Sequence, residues 1–168
     1  MTYDIVLLGM PLCGKTTIGE ALAKTLCVKF KDCDREIEKC TGKKPSEIIL
    51  SDGEESFRKI ESKVLKELLG KNRVIATGGG VVCRQENYDT IKANNTVTVY
   101  IKREISDIDN AELQKRPILK EKGLKKLYDE RRELYERFSD ITVDNAKTVD
   151  ETVKMIIDKV KMYEDNCN

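Results

Sequence analysis

The chain has 168 residues, a formal net charge of +1 and 36% charged residues: enough length for one domain around a buried sheet, and no charge excess to draw it to nucleic acid or an anionic membrane. With no histidine, and with six cysteines (Cys13, Cys27, Cys33, Cys40, Cys83, Cys167) that form no C-x-x-C, it shows no zinc-site pattern and lacks the means for serine– or cysteine–histidine catalysis. The opening MTYDIVLLGM has no basic n-region, and its apolar run is too short for a signal peptide or a spanning helix, so a cytoplasmic protein with no membrane or nucleic-acid partner is expected. The sequence is silent on oligomeric state, and a monomer is the default expectation.

Ile5 to Leu8 reads as a short apolar strand, followed by a turn and a helix. Across the turn runs G-x-x-x-x-G-K-[ST], as Gly9, Gly14, Lys15 and Thr16. This is the pattern of a phosphate-binding loop. Backbone N–H groups wrap the phosphates, and the positive end of the helix faces the same anion. Glycine permits close approach, Lys15 reaches the β- and γ-phosphates, and Thr16 offers its hydroxyl to Mg²⁺. Leu12, Cys13 and Thr17 complete the expected ATP-binding stretch. Cys13 sits where a helix N-terminus would lower a thiol pKa; the other cysteines are expected to be reduced and mostly structural.

Apolar or small residues at Ile18, Ala21, Leu22 and Leu26 predict a helix packed on the sheet. A second strand, Val28 to Phe30, ends in Asp32-Cys33-Asp34. If the chain stays extended there, the two carboxylates point the same way. An Asp-rich turn is the ordinary alternative. Beside a phosphate loop, the pair suits one Asp holding Mg²⁺ and one accepting the proton of an acceptor hydroxyl.

Short helices follow over Arg35–Thr41, stopped at Gly42, and from Pro45 to about Asp52. The helix Glu54–Leu69 has Phe57, Ile60, Val64, Leu65, Leu68 and Leu69 on one face. Arg58 lies near its start, where the macrodipole disfavours a cation, a mild hint of ligand contact. The strand Val74–Thr77 is broken by Gly78-Gly79-Gly80, which suits a backbone approaching a ligand at a strand's carboxyl end better than a tether. A helix over Arg84–Ala93 and a strand over Thr96–Ile101 come next.

From residue 105 to 123 the pattern fails, and Lys115, Arg116, Lys120 and Lys122 gather around Pro117. Besides a solvated loop, a lid fits, its arginine closing over the phosphates. The helix Leu124–Phe138 is expected to turn Leu127, Leu134 and Phe138 inward and many charges outward, and the helix alone leaves open whether Arg131 is simply one of these. A strand at Ile141–Val143 and a helix opened by a Thr148/Glu151 capping box close the chain. This alternation predicts an α/β fold, a five-stranded parallel sheet with helices on both faces.

Together the pieces describe phosphoryl transfer. Lys15, Thr16, Asp32 and Arg116 hold Mg-ATP, while Asp34, Arg58, the glycine run and Arg131 meet the acceptor. Two guanidiniums suit a carboxylate and an aspartate suits hydroxyls, so the acceptor is a small polyhydroxy acid. Another small-molecule or nucleoside monophosphate kinase and a noncatalytic ATP-sensing module remain alternatives. A GTPase is disfavoured by the lack of N-K-x-D and D-x-x-G.

The segments GMPLCGKTT, DCD, GEESFRKIE, ATGGG, RPIL and ERRELY, in this order over nearly the whole chain, resemble the shikimate kinase family. The resemblance implies one P-loop kinase domain over residues 1–168, with a substrate-binding region at about 32–61 and a closing lid at about 105–123. It implies ATP and one Mg²⁺ per subunit, and transfer of the γ-phosphoryl group to the 3-hydroxyl of shikimate on the way to chorismate and the aromatic amino acids. By the same resemblance Lys15 stabilises the transferring group, Thr16 and Asp32 position Mg²⁺, and Asp34 binds hydroxyls and is the candidate base. Arg58 and Arg131 hold the carboxylate, Gly78 to Gly80 line the pocket, and Arg116 is the lid arginine. The chain departs from the family at Leu12 (usually glycine), Cys13 (usually Ala or Ser), Asp109-Asn110-Ala111 (usually an Arg-Thr pair) and Glu133 (usually proline). These bear on the loop's backbone, the adenine contacts and the alignment of the Arg131 helix.

Overall fold

The structure, a computed structural model, describes residues 2–104, 123–145 and 148–167. The expected lid and Arg116 lie outside these residues, apart from Gly123. The elements are β1 (Asp4–Leu8), α1 (Lys15–Thr25), β2 (Lys29–Asp32), α2 (Cys33–Thr41), α3 (Pro45–Asp52), α4 (Glu54–Leu68), β3 (Arg73–Ala76), a 3₁₀ turn (Val81–Cys83), α5 (Gln85–Lys92), β4 (Thr96–Lys102), α6 (Leu124–Phe138), β5 (Ile141–Asp144) and α7 (Val149–Cys167). The strands form one parallel sheet in the order β2-β3-β1-β4-β5.

All five residues of the central β1 are buried, as a strand covered on both faces requires. Because successive side chains alternate, β1 feeds two cores. Val6 and Leu8 join Cys33, Ile37, Ile48, Phe57, Leu65, Tyr135 and Phe138, from α2, α3, α4 and α6. Ile5 and Leu7 join Ile18 and Leu22 of α1 and Val153, Ile156 and Val160 of α7. Asp4 is buried yet satisfied, because its carboxylate accepts the N–H groups of Gly70 (2.5 Å), Lys71 (3.3 Å) and Arg73 (2.9 Å) where the chain enters β3.

Strand ends and helix caps largely follow the sequence. Gly42 caps α2 at φ 70°, and Thr148 and Glu151 bond reciprocally ahead of α7. Two expectations change. β2 runs to Asp32 and α2 begins at Cys33, so Asp34 belongs to a helix's first turn rather than to extended chain. On α6 the buried residues are Leu127, Arg131, Tyr135 and Phe138, while Leu134 is only partly covered. Arg131 is therefore an inward charge. No helix among the described residues is long and apolar enough to cross a membrane.

Candidate active site

The phosphate loop leaves the carboxyl end of β1, with β3 on one side and β4 on the other, where open α/β sheets place their ligands. Its backbone enters the left-handed region at Gly9 (φ 151°), Leu12 (φ 67°) and Gly14 (φ 97°). At Gly9 a Cβ would lie 2.6 Å from the Ile101 carbonyl oxygen, so only glycine fits. Leu12 adopts the conformation a glycine would take freely. The Lys15 ammonium is buried and donates to the carbonyls of Gly9 and Met10, both at 2.8 Å, with Cys13 Sγ at 3.6 Å. A bound anion would replace neutral acceptors with a charged one.

Thr16 Oγ1 donates to Asp32 Oδ2 (2.7 Å), while Asp32 Oδ1 accepts the N–H groups of Asp34 (2.9 Å) and Arg35 (3.3 Å) as the N-cap of α2. The first Asp of the pair is thus fixed by the loop hydroxyl and by its own helix. Thr17 is exposed on the first turn of α1.

The second half lies around the glycine turn after β3. A Cβ on Gly78 would fall 2.3 Å from Glu61 Oε1 and 3.3 Å from Asp34 Oδ1, so both carboxylates face this residue. On Gly80 it would overlap the Arg58 guanidinium, and on Gly79 it would strike Pro11 Cδ at 2.6 Å. The glycine run therefore lets a turn lie against the phosphate loop on one side and a cation on the other. The Gly79 carbonyl accepts from both Arg131 Nη1 (3.0 Å) and Tyr135 Oη (2.5 Å), and Tyr135 stacks on Tyr100.

Arg58 is buried, with Nη1 donating to Glu61 (2.8 Å) and Nη2 to Glu54 (2.9 Å). These two acids offset its unfavourable place near the start of α4. Burial alone would push its pKa down, but Glu61 and Glu54 hold it above the ordinary arginine value. Among the described residues, Glu61 Oε1 has no hydrogen-bond partner. Burial raises the Glu61 pKa above its ordinary value and Asp34 adds to this, against the pull of Arg58 and Arg131. Burial also raises the Cys33 thiol, with Asp34 and Glu61 contributing.

The site thus unites Lys15, Thr16 and Asp32 with Asp34, Arg58, Arg131 and Gly78 to Gly80. Sequence reasoning missed Glu61 and Tyr135. The signal for Glu61 was its i,i+3 relation to Arg58, and for Tyr135 its i,i+4 relation to Arg131. Cys13 and Cys33 are buried free thiols, but Cys27, Cys40 and Cys83 are exposed, so the cysteines described are not mostly core residues.

The family model for shikimate kinase matches residues 11–161. The chain belongs to the shikimate kinase family. Among similar proteins is a shikimate kinase of Clostridium botulinum (strain Eklund 17B / Type B), 45% identical over 91% of this chain and 94% of the relative. Of solved structures, shikimate kinase from Acinetobacter baumannii in complex with shikimate superposes with a TM-score of 0.88 at 29% identity, covering 96% of this chain and 94% of that one. Shikimate kinase from Aquifex aeolicus does so at 0.80 and 36%, covering 94% and 96%. Against the family pattern, Leu12 adopts positive φ and Arg131 is buried at the glycine turn despite Glu133.

Proposed function

We infer that this protein transfers the γ-phosphoryl group of ATP to the 3-hydroxyl of shikimate, giving shikimate 3-phosphate and ADP. The observation that carries this reading is the contact between two anion-binding surfaces: the glycine turn, backed by Arg58 and Arg131, packs against Pro11 of the phosphate loop. A polyhydroxy carboxylate held by the first would present a hydroxyl to a phosphate chain held by the second.

Arg58 and Arg131 bind the carboxylate, with Gly79 and Gly80 closing the pocket. Asp34 orients the hydroxyls and takes the proton from the attacking one, its place in the first turn of α2 being fixed by the Asp32 cap. Lys15 exchanges its carbonyl partners for phosphate oxygens and follows the charge during transfer. Arg116, from the proposed lid over 105–123, adds a second cation to that charge and shuts out water.

Mg²⁺, one per subunit, fits the Thr16 hydroxyl and the Asp32 carboxylate. They are hard oxygen donors beside the loop, and Mg²⁺ keeps most of its shell as water and phosphate. Bound there, it would neutralise charge on the β- and γ-phosphates. The enzyme is proposed to be a cytoplasmic monomer acting on small molecules alone.

A coupled assay with ATP and Mg²⁺ tests the reading. Strong turnover is expected with shikimate only. Equal rates with gluconate or a nucleoside monophosphate, or nucleotide binding without turnover, would overturn it.

A further inference from the structure

The phosphate loop is braced from outside by residues that its motif does not include. Asn145 follows the last residue of β5, at the opposite end of the chain from the loop. Its Nδ2 donates to the Cys13 carbonyl (2.8 Å), and its Oδ1 accepts from the hydroxyl of the fully buried Thr152 (3.1 Å), which shares its one hydrogen between this oxygen and the Thr148 carbonyl (3.0 Å). Its backbone N–H donates to the Lys102 carbonyl (2.7 Å), continuing the sheet ladder. The amide's orientation is set by its partners, since the reverse would bring its oxygen against a carbonyl oxygen. The same amide lies against Gly14, where a Cβ would come within 2.8 Å of Nδ2. Arg103 Nη1 donates to the preceding carbonyl, that of Leu12, at 3.3 Å.

A trans peptide is planar, with its C=O and N–H directed oppositely. A donor that holds the Cys13 carbonyl on the outside of the loop therefore turns the Gly14 N–H to the inside. This matters because Leu12 sits at positive φ without the freedom that Gly14 has, so the loop carries backbone strain one peptide before the pinned one.

We propose that Asn145, held by Thr152, is a positioning residue for the phosphate loop, fixing the Cys13–Gly14 peptide so that its N–H faces the phosphates of the nucleotide. The proposal rests on the phosphotransfer reading above. Asn145 acts on the polyphosphate and not on the nucleoside or the acceptor.

The test compares three ligands by titration calorimetry, with the fold of each variant checked by thermal unfolding: ADP, inorganic tripolyphosphate and shikimate. Asn145→Ala is expected to weaken ADP and tripolyphosphate alike, by about tenfold for one lost hydrogen bond of ~1.4 kcal/mol, and to leave shikimate within about twofold. In the assay KM for ATP should rise by a similar factor, with KM for shikimate unchanged. Loss confined to ADP would assign Asn145 to the nucleoside, and equal loss for shikimate would make it a general structural residue. Either result, or no change, overturns the proposal. Should Asn145→Ala not fold, Thr152→Val, which keeps the donor and removes its anchor, is expected to weaken tripolyphosphate about threefold with shikimate unchanged, and an unchanged tripolyphosphate affinity overturns the proposal. A wild-type chain that bound neither ADP nor tripolyphosphate would defeat the phosphotransfer reading, and the proposal with it.

Discussion

The two halves of the site are held together by different physics. The phosphate loop is a backbone device: three residues at positive φ, carbonyls pinned by Asn145 and Arg103, and one lysine tied to main-chain oxygens. The acceptor half is a side-chain device. There Arg58, Glu61, Asp34 and Arg131 surround a glycine turn, and Arg58 and Glu61 are each almost fully buried. A backbone cradle suits a ligand whose charge is spread over many oxygens. A set of discrete side chains suits one that must be read as an acid with hydroxyls in fixed places. The Thr16–Asp32 bond and the Pro11–Gly79 contact join the halves, so each half can be altered with the other as an internal control.

Asp34→Asn should produce the largest separation. Losing the proposed base is expected to cut kcat by ~10²–10⁴-fold. Affinity for ADP should stay within about twofold, because the Asp32 carboxylate that meets Thr16 is untouched. Single-turnover kinetics with an ADP titration would read this, and a matching loss of ADP affinity would show that the halves are not separable.

Glu61 allows a finer cut within the acceptor half. Its pKa lies above the ordinary 4.5 because of burial, so the native state binds more protons than the unfolded chain from about there upward. Stability contributed by this group is therefore full at low pH and is lost as pH climbs through the raised value, by at most ~1.4 kcal/mol per pH unit for one proton. Glu61→Gln should flatten that slope in urea unfolding between pH 4.5 and 7. It should also raise KM for shikimate several-fold, since Arg58 would keep a neutral partner in place of a charged one, and leave KM for ATP alone. Parallel pH profiles in wild type and variant would assign the titration to another group.

The same contrast explains what the sequence made legible. The phosphate half could be read because its chemistry depends on residue types at fixed spacing along one turn: Gly9, Gly14, Lys15 and Thr16 announce themselves. So could the strand–helix alternation, since each helix shows one apolar face and most are bounded by a glycine or a cap. The acceptor half was harder, because its groups come from α2, α4, α6 and the glycine turn, and only the sheet order brings these together. Asp34 was placed by an extended-chain argument that fails once Asp32 caps a helix. Arg131 and Tyr135 share a face with Leu127 and Phe138, yet a reading weighted to apolar residues chose Leu134. Glu61 gives no signal of its own, for a pattern of charges cannot say which will be buried with a partner. The resemblance to shikimate kinases supplied Arg131's role; packing supplied its reason.

The smallest expected effect lies in the phosphate half and asks how much that loop depends on its brace. Leu12 at φ 67° pays for a conformation that costs an L-residue ~1–2 kcal/mol. Leu12→Gly removes this strain but loosens the unfolded chain, at ~0.4–1 kcal/mol. The net gain should lie between ~0 and ~1.6 kcal/mol, read as a small rise in Tm with shikimate affinity unchanged. Combined with Asn145→Ala, the glycine should make the loop's affinity for tripolyphosphate more sensitive to the missing brace, since a glycine at position 12 leaves more backbone states open to an unpinned peptide. Additive effects of the two changes would mean that strain and brace act independently.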